Sequence, residues 1–271
     1  MKFKVPNLIT AQTIYEFLSP FLSVSESMDF LKEHKIWRGL RSYGFLSVLL
    51  IILGLAFGIV LVYFLIDAIR VVDDYTHSDM DTASMLGSIG DRFNQSFLLG
   101  GSKYMILILM EIIIFHVIGK TLTILKGSPQ DLSFKGFVRA QKRMIKVAIR
   151  SWALEILVIA VVSLGLRIVG LSSIKPLPVF IIQAYFLGFA LIDNYFERMG
   201  LHIKASAALA FNHAGLTLGL GVILSFFLAI PIIGPVFGMM LVSVMACLIC
   251  YEMEQSNTLE ILKVPELSVK E

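Results

Sequence analysis

The sequence predicts an all-α, polytopic membrane protein: two long transmembrane helices, two short proline-broken helical hairpins, and amphipathic helices on the cytoplasmic side. Three observations lead there. Of 271 residues, 57% are apolar and 16% charged, where soluble domains carry about 25% charged residues. So few polar side chains could not cover a globule of this size. Uncharged stretches reach the roughly 20 residues that a helix needs to cross hydrocarbon. The basic residues are also sorted to one side of those stretches. This composition excludes a disordered chain or a coiled coil. The formal net charge of +3 gives no reason to expect a nucleic-acid partner; the partner expected is the bilayer.

Residues 1–43 form an amphipathic N-terminal region anchored at the surface by Ile14, Phe17, Leu18, Phe21 and Leu22. Lys2 and Lys4 precede Asn7, Thr10, Gln12 and Thr13, so no apolar signal-peptide core is expected there. Residues 44–70 are a transmembrane helix: Phe45–Ile66 holds no charge, and Asp67 and Arg70 close it. An acidic extracytoplasmic segment, 71–96, carries Asp73, Asp74, Asp79, Asp81 and Asp91. Residues 97–125 make a second transmembrane helix, marked by Lys103, Glu111, His116 and Lys120. A basic cytoplasmic helix follows at 133–151.

The first hairpin spans 152–192 and turns at Ser172–Pro178, with Glu155 and Arg167 expected to snorkel at opposite ends of one arm. The second spans 214–251, broken by Pro231, Gly234 and Pro235 into two arms of about 16 residues, marginal for full crossing. Either hairpin is expected to dip into the membrane or to cross it. Residues 252–271 are a polar tail.

Of 23 Lys and Arg residues, 18 fall on one side of this arrangement, which places both termini in the cytoplasm and the acidic segment outside. No enzyme motif is present, and no catalytic role or cofactor is expected. Cys247-Leu248-Ile249-Cys250 lacks the second ligand pair that zinc needs, so packing is its reading and no metal is expected. The spacing of Gly215, Gly219 and Gly221 reads as close helix packing.

Ionisable groups at membrane depth cost several kcal/mol unless paired or wet. Glu111 and His116 are therefore candidates for a pathway, with an interhelical hydrogen bond or ion pair as the plainer role for Glu111. The basic run that includes Arg139, Arg143 and Arg150 serves either anionic lipid heads or an anion-attracting vestibule. Before the first span, Arg38-Gly39-Leu40-Arg41 suits either an oxyanion site, through backbone N–H groups and guanidinium forks, or a simple inside-flank signal.

The stretch Tyr185–Arg198, ending in Asp193-Asn194-Tyr195, is followed by a glycine-rich helix, then by Ile230-Pro231-Ile232-Ile233-Gly234-Pro235 and a small-residue helix. This succession resembles the EI24/CysZ family, closely over 183–251 and in segment order over roughly 30–251. The resemblance implies a sulfate permease of the bacterial inner membrane, with two long spanning helices and two half-inserted hairpins. It also implies homo-oligomers, in which protomers can adopt opposed orientations. In that family a Gly-Leu-Arg-type motif before the first long helix binds sulfate, and Arg38, Gly39, Leu40 and Arg41 are the matching positions; Asp193, in the aromatic–Asp–Tyr stretch, joins the pathway or vestibule candidates. The chain departs from the pattern in having Ser42-Tyr43-Gly44 in place of the usual proline. A non-transporting membrane scaffold, or a relative of unassigned substrate, is the alternative expectation.

Overall fold

The computed structural model describes residues 11–43, 48, 52, 56, 102–171, 174–230 and 233–256. Apart from residues 48, 52 and 56, the expected first span lies outside the described residues, as do the acidic segment, residues 172–173 and 231–232 of the two predicted hairpin breaks, and the tail beyond 256. Everything regular among the described residues is helical. We number the helices α1 (Ala11–Leu22), α2 (Val24–Glu33), α3 (Ser102–Lys126), α4 (Phe134–Ile168), α5 (Pro176–Arg198), α6 (Ile203–Asn212), α7 (Ala214–Leu228) and α8 (Ile233–Gln255). A short 3₁₀ turn covers Leu40–Tyr43.

Four of these helices, α3, α4, α5 and α8, are long and apolar enough to cross a bilayer. The chain is therefore a multi-pass helical membrane protein. Two expectations change here. The basic helix and the first hairpin arm are one continuous helix of 35 residues, with no break at 151/152. Nothing in that stretch interrupts it: Ser151 and Trp152 follow Arg150 directly, with no proline and no glycine between Gly136 and Gly165. The hairpin arms are also unequal. α5 and α8 each run 23 residues, because Pro176 opens α5 at its first position and Pro235 falls in the first turn of α8. Proline there lacks only an N–H that has no helical partner anyway. α7 is the short arm, with 15 residues.

α3 and α8 form the centre of the bundle. Their apolar stretches are 78% and 83% buried, against 28% for α4. α5 packs on α7 through glycine. A Cβ at Gly221 would land on the carbonyl of Ala184, and one at Gly188 on the carbonyl of Thr217, so the two backbones touch. Gly215 and Gly219 do the same for α1, whose Thr13 and Phe17 carbonyls lie against α7. The glycine spacing thus serves helix packing as expected. At His213 the chain turns 95° between α6 and α7. Cys247 and Cys250 are buried free thiols in α8, and no group of metal-ligating side chains occurs among the described residues.

The bundle has a polar end and an apolar end. At the polar end Lys126 of α3 pairs with Glu254 of α8 at 2.9 Å, and Tyr195 of α5 donates to the same carboxylate at 3.0 Å. At the other end both hairpin tips expose apolar side chains: Ile168, Leu171, Ile174 and Leu177 on one, Phe226, Ile230 and Ile233 on the other. A soluble protein would place polar residues there. α1 turns Ile14, Tyr15, Leu18, Phe21 and Leu22 outward, an exposed apolar stripe of the kind an interfacial helix carries.

The exposed face of α4 locates the membrane boundary. Lys135, Arg139, Lys142, Lys146 and Arg150 recur every three or four residues, are exposed, and so share one face. From Trp152 onward the exposed residues include Leu154, Leu157, Val161, Leu164 and Ile168. Charged groups stay out of hydrocarbon and tryptophan favours its edge, so the boundary lies at Arg150–Trp152.

Candidate functional site: the polar layer around the Arg38–Tyr43 turn

The chain reverses after α2 through Lys35, at φ 48°, and Gly39, at φ 99°. Glycine is needed at 39 for two reasons. The left-handed backbone disfavours a side chain, and a Cβ would stand 3.1 Å from the His116 ring. This seats the turn directly on α3. His116 Nε2 lies 3.2 Å from the carbonyl of Ile36 and 3.1 Å from that of Arg38, so it carries the proton and donates to both. Nδ1 then accepts from the Tyr43 hydroxyl at 3.3 Å. Burial pushes that hydroxyl up to about 12, which keeps it a neutral donor. Lys120, one turn along α3, also donates to the Arg38 carbonyl. Tyr43 packs edge-on against Phe115 and lies 6.2 Å from the Phe137 ring of α4.

The carbonyls of the turn thus point into the protein, while the Arg38 side chain is exposed and Lys120 half-buried at the polar end. Leu40 packs on the core. The side chain of Arg41 lies outside the described residues. The 3₁₀ turn has four residues, too short to bring a helix dipole to bear on an anion. Any recognition here rests on the guanidinium groups and Lys120.

Two sequence candidates that looked separate are joined. Arg143 of α4 grips Asp193 of α5 in a two-pronged pair, Nε to Oδ2 and Nη2 to Oδ1, both 2.8 Å. Its Nη1 donates to the Leu201 carbonyl at 2.6 Å, and Ser206 of α6 donates to Asp193 Oδ1. This clamp ties three helices together. It corrects the vestibule reading for both residues: their charges neutralise each other, and Asp193 is buried. Arg139 and Arg150 keep their place on the exposed stripe. Arg198 is similarly committed, donating to the carbonyls of Asp131 at 2.8 Å and Phe115 at 3.1 Å while stacking 4.2 Å over the Phe115 ring.

Glu155 does not snorkel. It is fully buried beside Lys103, Nζ to Oε2 2.6 Å, with Tyr104 donating to the same oxygen at 2.7 Å. Two charges stranded on apolar helices find each other because burying either alone is far costlier. The sequence carried that signal in two lone, opposite charges on neighbouring apolar runs. Lys103 and Glu111, eight residues apart, do not meet. Glu111 is fully buried, and neither carboxyl oxygen has a hydrogen-bond partner among the described residues. A further pair, Glu16 of α1 with His213 at 3.0 Å, had no sequence signal, since 197 residues separate them.

The fold and these clusters define the class: a multi-pass helical membrane protein with a pinned, cation-bearing turn at its polar end. Compared with known proteins, the chain matches no family model, no curated protein and no solved structure.

Proposed function

We propose that this protein is a permease for a small oxyanion, of the sulfate type, in the bacterial inner membrane, with its polar end and termini in the cytoplasm. The observation that supports it best is the seating of the Arg38–Gly39 turn. His116 and Lys120 absorb the carbonyls, and the cations of Arg38 and Lys120 stay at the surface. Arg41 adds a second guanidinium to the motif. Guanidinium forks match a tetrahedral oxyanion, whose oxygens accept paired N–H bonds. The stripe from Lys135 to Arg150, including Arg139, raises the local anion concentration next to it. Glu111, whose carboxyl oxygens have no hydrogen-bond partner among the described residues, is the candidate for the route inside the bundle.

In this reading the hairpins differ. The α4–α5 tip bears Arg167 and Lys175, both exposed, whose long side chains reach the far headgroups. From Trp152 to Ile168 is about 24 Å of helix, short of the roughly 30 Å hydrocarbon thickness. The α7–α8 tip offers Phe226, Ile230 and Ile233 and ends inside the hydrocarbon. Homo-oligomers would complete the route.

Labelled sulfate uptake into proteoliposomes tests the proposal. Uptake above empty vesicles, lost in the double variant Arg38→Ala, Arg41→Ala, is the expected result. Uptake equal to empty vesicles overturns it, and full uptake by the double variant removes the turn as its site. One observation favours a second reading, a non-transporting scaffold: Arg143, Arg198 and Lys126 are all spent on contacts between elements of the fold. Absent uptake with intact oligomers would support that reading.

A further inference from the structure

A groove of about 700 Å³ opens among α1, α4, α5, α6 and α7, walled by Phe17, Leu154, Val158, Tyr185, Phe211 and Leu218. Its size is within the roughly 300–1,000 Å³ of ordinary small-molecule sites, but its lining is almost wholly apolar. Two placements say what covers it. First, its α4 wall, Leu154 and Val158, begins one turn past Arg150, just inside the boundary where the exposed face of α4 changes from basic to apolar. The groove therefore opens at the depth of lipid acyl chains. Second, its rim is cationic. Arg150 precedes Leu154 by four residues on α4, and Lys204 precedes the lining residue Ala207 by three on α6, so each stands one turn from the wall. Both are exposed, and neither forms an ion pair among the described residues.

We propose that the groove is a specific site for an anionic phospholipid, one acyl chain lying against Val158 and Leu218 and the phosphate held between Arg150 and Lys204. An apolar slot alone would take any chain, and the two rim cations supply the selectivity. A zwitterionic lipid brings its own cationic group toward the same rim and loses that attraction. Two interfacial cations correspond to a preference of about 10- to 30-fold for the anionic headgroup. The inference rests on the membrane reading of the chain, not on oxyanion transport. A protein that moves no sulfate leaves it standing.

The test is native mass spectrometry of the full-length protein, delipidated in detergent and titrated with phosphatidylglycerol or phosphatidylcholine of matched chains. The wild type is expected to retain phosphatidylglycerol at least tenfold better. The variant Arg150→Gln, Lys204→Gln should bring the two lipids level. Val158→Trp, which fills the groove, should abolish retention of both, and Ala207→Leu provides a second blocking variant. Elution profile and circular dichroism establish that each variant is folded. Equal retention of both lipids by the wild type overturns the proposal. So does undiminished binding in the folded blocking variants, which would place the lipid elsewhere.

Discussion

The buried pair Lys103–Glu155 yields a prediction with a distinctive sign. Both side chains are fully buried, Nζ lies 2.6 Å from Oε2, and the ammonium has two weaker contacts, the Gln183 backbone carbonyl at 3.5 Å and the Tyr104 ring, 5.2 Å to its centroid. The Tyr104 hydroxyl holds the same carboxylate oxygen, and the other oxygen has no partner among the described residues. Lys103→Met leaves a buried carboxylate held by one hydroxyl. Glu155→Gln leaves a buried ammonium with no counter-charge, held only by neutral acceptors. Each single change should cost about 3–5 kcal/mol, since a lone buried charge is uncompensated. The double variant removes both charges at once. Met packs in the space of the lysine stem, and the Gln carbonyl still accepts from Tyr104. Its cost should fall to about 1–2 kcal/mol, that of an imperfectly satisfied amide. Denaturant unfolding in mild detergent, read as a double-mutant cycle, measures the difference. Additive losses, with the double variant as damaged as the two singles summed, would refute the assignment of the pair as a single electrostatic unit.

Other consequences follow from the same contacts. Glu111→Met should raise stability by about 1–3 kcal/mol, because the carboxyl has no hydrogen-bond partner within ordinary distance among the described residues and its burial is a cost; a loss would mean that the neighbouring Asn194 side chain holds it. Arg143→Lys keeps the charge but not the fork to Asp193, so about 1–3 kcal/mol should be lost in the same unfolding assay, with loosening of the α6 contact through Ser206. Gly221→Ala should prevent stable packing of α7 on α5, whereas Gly165→Ala, with open space around it, should be neutral or slightly stabilising by thermal unfolding. Outside the membrane, the Ser133 hydroxyl and backbone N–H hold the Asp131 carboxyl below its usual range. Its folded value being the lower, its contribution is present above the ordinary Asp range and disappears as pH falls through the lowered value; Ser133→Ala should move the NMR titration of Asp131 upward.

The sequence by itself determined that this chain is helical and lives in a membrane, because uncharged runs of helical length have no other stable environment. It determined the exposed apolar stripe of α1, except for Phe17, which is half-buried against α7, and it determined the packing glycines of α7 and the basic face of α4, since each is periodic along one helix. Periodicity is local, and these features need no partner to be recognised. Helix ends were read less well: prolines at 176 and 235 signalled a break but serve as first-turn residues, and the change from basic to apolar at Trp152 suggested a boundary where the lack of proline and glycine lets α4 run on.

Only the tertiary structure decided how the charges are used. Arg143 and Asp193 are 50 residues apart, Lys103 and Glu155 are 52 apart, and Arg38 is brought onto His116 across 78. A charge in low dielectric is stable only beside its complement, so each of these groups takes its role from which helix packs next to it. That choice is made by the shapes of apolar surfaces and by glycines that let backbones touch. It turned two vestibule candidates, Arg143 and Asp193, into a structural clamp, left Arg38 at the surface, and set exposed cations one turn from the wall of an apolar groove.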